Sequence, residues 1–249
     1  MRVSLTKPET TELDSAKSAP VTGERPTAAR DTMMVTLLSC ARHELRSPLQ
    51  SIQGFAELLD CGAYGRLSTE QHAFVKHILQ GSSELGAFME ACLELTELAI
   101  LGRPSEQTRE QLADVVAEAL KRTERGGVTV PLSVTPAASA VRARVEVPAL
   151  RRALDALVTA LSTGGGGHRD LTAELDVDGE FGCVRVRRAP ATTADPLRTI
   201  EELAQHRRSG RALIWLQLAA TLLGRQDGQV MATESCERAE VRLRLSSTH

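Results

Sequence analysis

The run Ala41-Arg42-His43-Glu44-Leu45-Arg46-Ser47-Pro48-Leu49 places a histidine, a carboxylate, two arginines and a hydroxyl within two helical turns. Apolar residues around it recur every seven positions. Leu38, Leu45, Ile52 and Leu59 form one row, with Ala41, Pro48 and Phe55 about half a repeat away. That is the seam of a helical bundle. On the same wheel His43 falls farthest from the seam, so its imidazole is expected in solvent and not in a core. A neutral imidazole nitrogen is a nucleophile. Glu44 beside it can orient the ring or accept its second N–H, which fixes the tautomer; the alternative is a solvated helix carboxylate. Pro48 has no N–H for the Glu44 carbonyl and its ring crowds that carbonyl, which predicts a kink beside the histidine.

The elements that must hold this group follow from the apolar pattern. A first helix is expected from about Asp31 to Leu59. The two glycines of Asp60-Cys61-Gly62-Ala63-Tyr64-Gly65-Arg66 then mark a turn. Ser68 with Gln71 three residues on forms a capping box that opens a second helix. Its rows are Leu67, Phe74, Gly81, Phe88, Leu95 and, offset, Ile78, Leu85, Cys92, Ala99, again with a period of seven. The second helix ends at Gly102-Arg103-Pro104. One hairpin cannot bury both stripes, so two chains are expected to pair as a four-helix bundle.

Residues 1–30, rich in Thr, Pro, Glu, Lys and Ser, read as disordered. Residues 31–103 read as the hairpin and 104–249 as a second domain. In that domain Glu106 to Arg125 reads as a helix and Val128 to Val134 as a strand. Pro148 to Leu161 reads as an apolar helix, broken by Gly164 to Gly167. Leu171 to Val177 and Phe181 to Val186 form a hairpin around Asp178-Gly179. Arg211 to Leu223 is an apolar helix, and Gln229 to Thr233 and Ala239 to Leu245 are closing strands. The fold class is α+β, a helical hairpin followed by an α/β sandwich.

Composition narrows the function. A net charge of −2 argues against a general nucleic-acid binder. No apolar run approaches the ~18 residues of a membrane span, and the first residues lack the apolar core of a secretion signal. Cys40, Cys61, Cys92, Cys183 and Cys236 are scattered without a CxxC spacing, as in a reduced, cytoplasmic protein. His72 and His77 are five apart, not at the spacing of a helical metal pair, and read as surface residues. His168, His206 and His249 carry no pattern.

The segment His43-Glu44-Leu45-Arg46-Ser47-Pro48-Leu49 resembles the phosphoacceptor box of sensor histidine kinases, His-Glu-Leu-Arg-Thr/Ser-Pro-Leu, at every position. The likeness extends through Gln71, the Leu85 region and Leu93-Glu94-Leu95-Thr96-Glu97-Leu98. It implies that His43 is the phosphoryl acceptor and that the hairpin is a dimerisation domain. It implies partners in response-regulator receiver domains or a hybrid kinase. Arg42 and Arg46 would then attract an acidic receiver surface or the phosphoryl oxygens, or else be solvated. Ser47, one turn beyond His43, holds the place where kinases that also dephosphorylate carry a water-positioning hydroxyl or amide.

The order of elements from about 105 to 246 resembles the ATP-binding domain that follows the bundle in that family. Such a domain needs an asparagine for magnesium, an aspartate for the adenine amino group and glycine loops that admit phosphates. The two asparagine positions fall on Ala156 and Ala160, with Asp155 on another side of the helix. The aspartate position falls on Arg188, followed by Ala189-Pro190 in place of a glycine loop. The second loop survives only as Gly210-Arg211-Ala212-Leu213. Gly164 to Gly167 lacks a following Lys-Ser/Thr and reads as a lid remnant. The chain contains no asparagine.

The expectation is therefore a homodimeric histidine phosphotransferase with a degenerate ATPase domain and no cofactor of its own. Magnesium would come from the partner receiver. No sensor domain is evident in 249 residues, as in an intermediate of a relay. The alternatives are a non-catalytic scaffold or inhibitor of a kinase or regulator, and a divergent ATP-dependent kinase.

Overall fold

The computed structural model describes residues 25–102, 106–124, 130–163, 171–188, 196–205 and 210–245. Two long antiparallel helices come first. Helix α1 (Arg25–Asp60) begins earlier than the expected Asp31 and runs unbroken through Pro48. Helix α2 (Thr69–Leu101) opens on the predicted capping box: Ser68 Oγ accepts from the Gln71 N–H at 3.2 Å, and Gln71 Oε1 accepts from the Ser68 N–H at 2.9 Å. It closes on Gly102, whose φ of 48° is easy only for glycine and whose N–H donates to the Leu98 carbonyl.

The surface that joins α1 to α2 is not the row of large apolar residues. Ala56, Val75 and Ser82 are buried there, and a Cβ on Gly86 would stand 3.9 Å from Leu49. The predicted seam lies outward instead. Ile52, Phe55, Phe74 and Leu85 are 48%, 68%, 63% and 54% exposed. A period of seven marks an apolar stripe but does not say which helix covers it. Small residues let the two backbones close up, and the bulky ones are left on one uncovered face.

Beyond the hairpin come β1 (Thr108–Gln111), α3 (Leu112–Glu124), β2 (Leu132–Val134), β3 (Arg142–Val145) and α4 (Val147–Thr163). They are followed by β4 (Leu171–Asp178), β5 (Phe181–Arg188), β6 (Arg198–Thr199), α5 (Ile200–Gln205) and α6 (Gly210–Gly224). Strands β7 (Gln229–Ala232) and β8 (Arg238–Arg244) end the domain. Six strands form one sheet in the order β2-β4-β5-β8-β7-β6, with β2 parallel to β4 and the other neighbours antiparallel. The predicted Leu171–Val186 hairpin is present, turning at Gly179 with φ 60°.

One prediction fails in detail, and some short elements are not foreseen. The helix expected from Glu106 begins only at Leu112, because Thr108–Gln111 pairs with β3, a strand the sequence reading did not include. Neither β1 nor β6 carries a run of apolar residues, and α5 has six residues, so periodicity gives no signal for them. Gly164 to Gly167, His168, Ala189-Pro190, His206, His249 and the first 24 residues lie outside the described residues.

The core lies between one sheet face and helices α3, α4 and α6. Leu112, Leu150, Leu154, Leu157, Leu175, Leu216 and Leu223 are fully buried there. Ala91 joins this core, and Leu95 and Leu98 pack against it, so the C-terminal half of α2 is shared by the hairpin and the second domain. The opposite sheet face is ionic. Arg185 reaches Asp176 and Glu240, each at 3.1 Å, and Arg242 reaches Glu240 at 2.7 Å. The buried Glu240 carboxylate is thus matched by two guanidinium groups, as burial of a charge requires.

Candidate functional site

His43 and Glu44 stand on the solvent side of α1 and are exposed. His43 makes no hydrogen bond or ion pair among the described residues, and none joins it to Glu44. Its nitrogens are therefore accessible to an incoming group. The helix around it is held firmly by its neighbours. Arg42 points to α2, where its Nε lies 3.0 Å from Glu90 and its Nη1 lies 3.0 Å from Glu97. The Glu97 hydrogen bond is the largest of the effects that raise the Arg42 pKa above its ordinary value, and partial burial opposes it. Arg46, more exposed, also bonds Glu90.

Two arginines one turn apart on α1 thus converge on one carboxylate of α2. From sequence both are expected either to meet a partner or phosphoryl group or to be solvated. In the single chain their guanidinium groups are occupied by Glu90 and Glu97. Ser47 is exposed one turn beyond His43, and its carbonyl accepts from Ser51 Oγ at 3.1 Å. His72 sits near the hairpin turn with Nδ1 3.3 Å from Asp60 Oδ1, and His77 is exposed.

The sequence reading missed the carboxylates of α2. Glu90 and Glu97 hold α1, while Glu84 and Glu94 hold the second domain through Arg211 at 2.9 Å and Arg152 at 2.8 Å. Their spacing along one helix was the available signal, but no arginine partner could be assigned without the fold. Arg152 carries the stronger of these ties. It also bonds Asp155 at 2.9 Å and lies over Trp215, 5.8 Å from the ring centroid. Burial acts against its charge, yet Glu94 and Asp155 together outweigh that and raise its pKa. Arg152→Ala is expected to cost about 2 kcal/mol, the value of hydrogen bonds to a charged group. Thermal melting should show it as a midpoint lower by about 4–8 °C.

The positions aligned with nucleotide ligands are also placed. Ala156 and Ala160 are fully buried on α4, within the hydrophobic core. Asp155 turns away to Arg152. Arg188 ends β5, and its guanidinium donates to the Leu161 carbonyl near the C-terminal end of α4, where a cation is favoured. Gly210-Arg211-Ala212-Leu213 is the first turn of α6, not a loop. Among the described residues no three His, Cys, Asp or Glu could hold a metal ion, and no helix is long and apolar enough to cross a membrane.

This hairpin with an exposed histidine, joined to a helix-covered sheet, is similar in arrangement to histidine kinases. Residues 33–99 match the family described as the His Kinase A (phospho-acceptor) domain. Among solved structures, full-length ShkA in complex with AMPPNP is similar at a TM-score of 0.53 and 20% identity. That match covers 86% of this chain and 46% of ShkA, so the chain spans less than half the length of that protein. Acinetobacter baumannii histidine kinase AdeS matches at a TM-score of 0.46 and 16% identity, over 83% of this chain and 98% of AdeS. No curated protein matches by sequence.

Proposed function

We propose that the chain is a homodimeric histidine phosphotransferase that moves phosphoryl groups between response-regulator receiver domains through His43, without binding ATP itself. The observation that carries this reading is a contrast within one molecule. The phosphoacceptor box is complete and its histidine is open to solvent. The positions that would serve a nucleotide hold Ala156, Ala160 and Arg188. The residues present do not fit Mg-ATP. Alanine offers no ligand to a metal ion, and a guanidinium donates where the adenine amino group needs an acceptor.

In this reading the neutral imidazole attacks the phosphorus of an aspartyl phosphate on the receiver. The N–P bond forms as the P–O bond to the aspartate breaks, and the aspartate leaves as a carboxylate. The reverse step delivers the group to a second receiver. Glu44 can rotate to accept the ring N–H once a partner excludes water. Magnesium belongs to the receiver. Arg42 and Arg46 act first by stiffening α1 against α2, and contact with a partner would require them to leave Glu90 and Glu97. A cytoplasmic site of action suits such partners.

Titration calorimetry with Mg-ATP tests the nucleotide half of the proposal. The expected result is a dissociation constant weaker than ~1 mM, about −4 kcal/mol. Tighter binding would promote the reading of a divergent ATP-dependent kinase. Absence of both nucleotide binding and phosphoryl transfer would leave the scaffold or inhibitor.

A further inference from the structure

Three arginines share one face of the small β1–β3 sheet with no counter-charge. In its register Arg109 lies directly across from Arg144, and Gln111 across from Arg142. Alternation places these four side chains on one face. Arg109, Arg142 and Arg144 are exposed, while Ala143 and Val145 on the other face are buried. Glu110 falls on that other face, opposite Ala143. None of the three arginines makes a hydrogen bond or ion pair among the described residues. Several other arginines meet carboxylates, as Arg42, Arg152, Arg185 and Arg242 do. Like charges directly opposite on paired strands are destabilising. The fold therefore carries this face at a cost that an anionic partner would remove.

The strand carrying Arg109 begins seven residues after the end of the helix that pairs with α1 beside His43. Arg42, next to His43, bonds Glu97, which is one turn from the end of α2. From Leu101 to Thr108 the chain can span at most about 25 Å. A domain of ~100 residues has a radius of gyration of about 13 Å, so its width is comparable. No aromatic side chain stands on this face to stack on bases, and the net charge of −2 disfavours nucleic acid.

We propose that Arg109, Arg142 and Arg144 form a docking surface for the acidic face of the receiver domain that exchanges phosphoryl groups with His43. The match is one of charge: three uncompensated cations steer and hold a carboxylate-rich surface. The identity of the partner rests on the relay reading, whereas the sign of the surface does not.

The test uses the full chain, a fluorescein-labelled octaglutamate peptide and fluorescence anisotropy at low salt. Wild type should bind the peptide, and binding should fall as salt rises. The triple variant R109Q/R142Q/R144Q should bind at least tenfold more weakly. Its melting midpoint should be unchanged or raised, because a like-charge contact is removed. With a receiver that labels His43, the variant should raise KM at least tenfold and leave kcat within twofold. Equal peptide binding by both proteins, or none by wild type, would overturn the proposal. So would a lowered midpoint, which would make the arginines structural, or displacement of the peptide by lower concentrations of random duplex DNA. A failure of every receiver to label His43 would sink the relay reading, and the peptide result would still decide the patch.

Discussion

His43→Gln is expected to abolish phosphoryl labelling of the protein by an aspartyl-phosphate receiver, with stability within about 0.5 kcal/mol of wild type. The two halves of this expectation have separate causes. Glutamine has no nucleophilic ring nitrogen, so no N–P bond forms. The side chain at 43 is exposed and makes no hydrogen bond or ion pair among the described residues, so its loss removes no packing. The adduct on wild type should be labile in acid and stable in base. Glu44→Ala should slow transfer by a smaller factor, because an orienting carboxylate is less essential than the nucleophile. Quench-flow labelling and denaturant melts check both. Undiminished labelling of His43→Gln would move the chemistry to another residue.

Ile52→Asp or Leu85→Asp is expected to convert a homodimer to monomer or to unfold the bundle. Ile52, Phe55, Phe74, Ile78 and Leu85 form an apolar face that the single chain leaves uncovered, and monomeric proteins rarely expose such a face. A groove lined by Ser51, Gly54, Phe55, Glu57, Leu58 and Cys61 opens on α1 close to Ile52. Each carboxylate placed there would be buried unpaired in the bundle at a cost of at least about 3 kcal/mol, roughly a hundredfold in the dimer constant. Light scattering over a concentration series reads this directly. A wild type that remains a well-folded monomer would contradict the expectation.

The hairpin was legible because its signals are local. The Ser68–Gln71 capping box, the Gly102 stop and the seven-residue rows all depend on neighbours in sequence. The facing of those rows was not legible. Val35, Arg42, Leu49 and Ala56 also repeat every seven residues. Arg42 and Ala56 of that row face α2, with Arg42 meeting Glu90 and Glu97, themselves seven apart. An arginine in a hairpin-facing row looks like a surface residue until its carboxylates are located. The same limit hid β1, a polar strand defined by its pairing with β3. The residue types at Ala156, Ala160 and Arg188, on which the proposed lack of nucleotide binding rests, are plain in the sequence. That Arg188 closes on the Leu161 carbonyl required the fold.

The most direct measurement offers the purified protein, with magnesium, to phosphorylated receiver domains from its own cell and, separately, to radiolabelled ATP. At least one receiver is expected to label wild type at His43, while His43→Gln stays unlabelled and ATP alone labels neither. Labelling of His43 by ATP in the absence of any receiver would contradict this expectation.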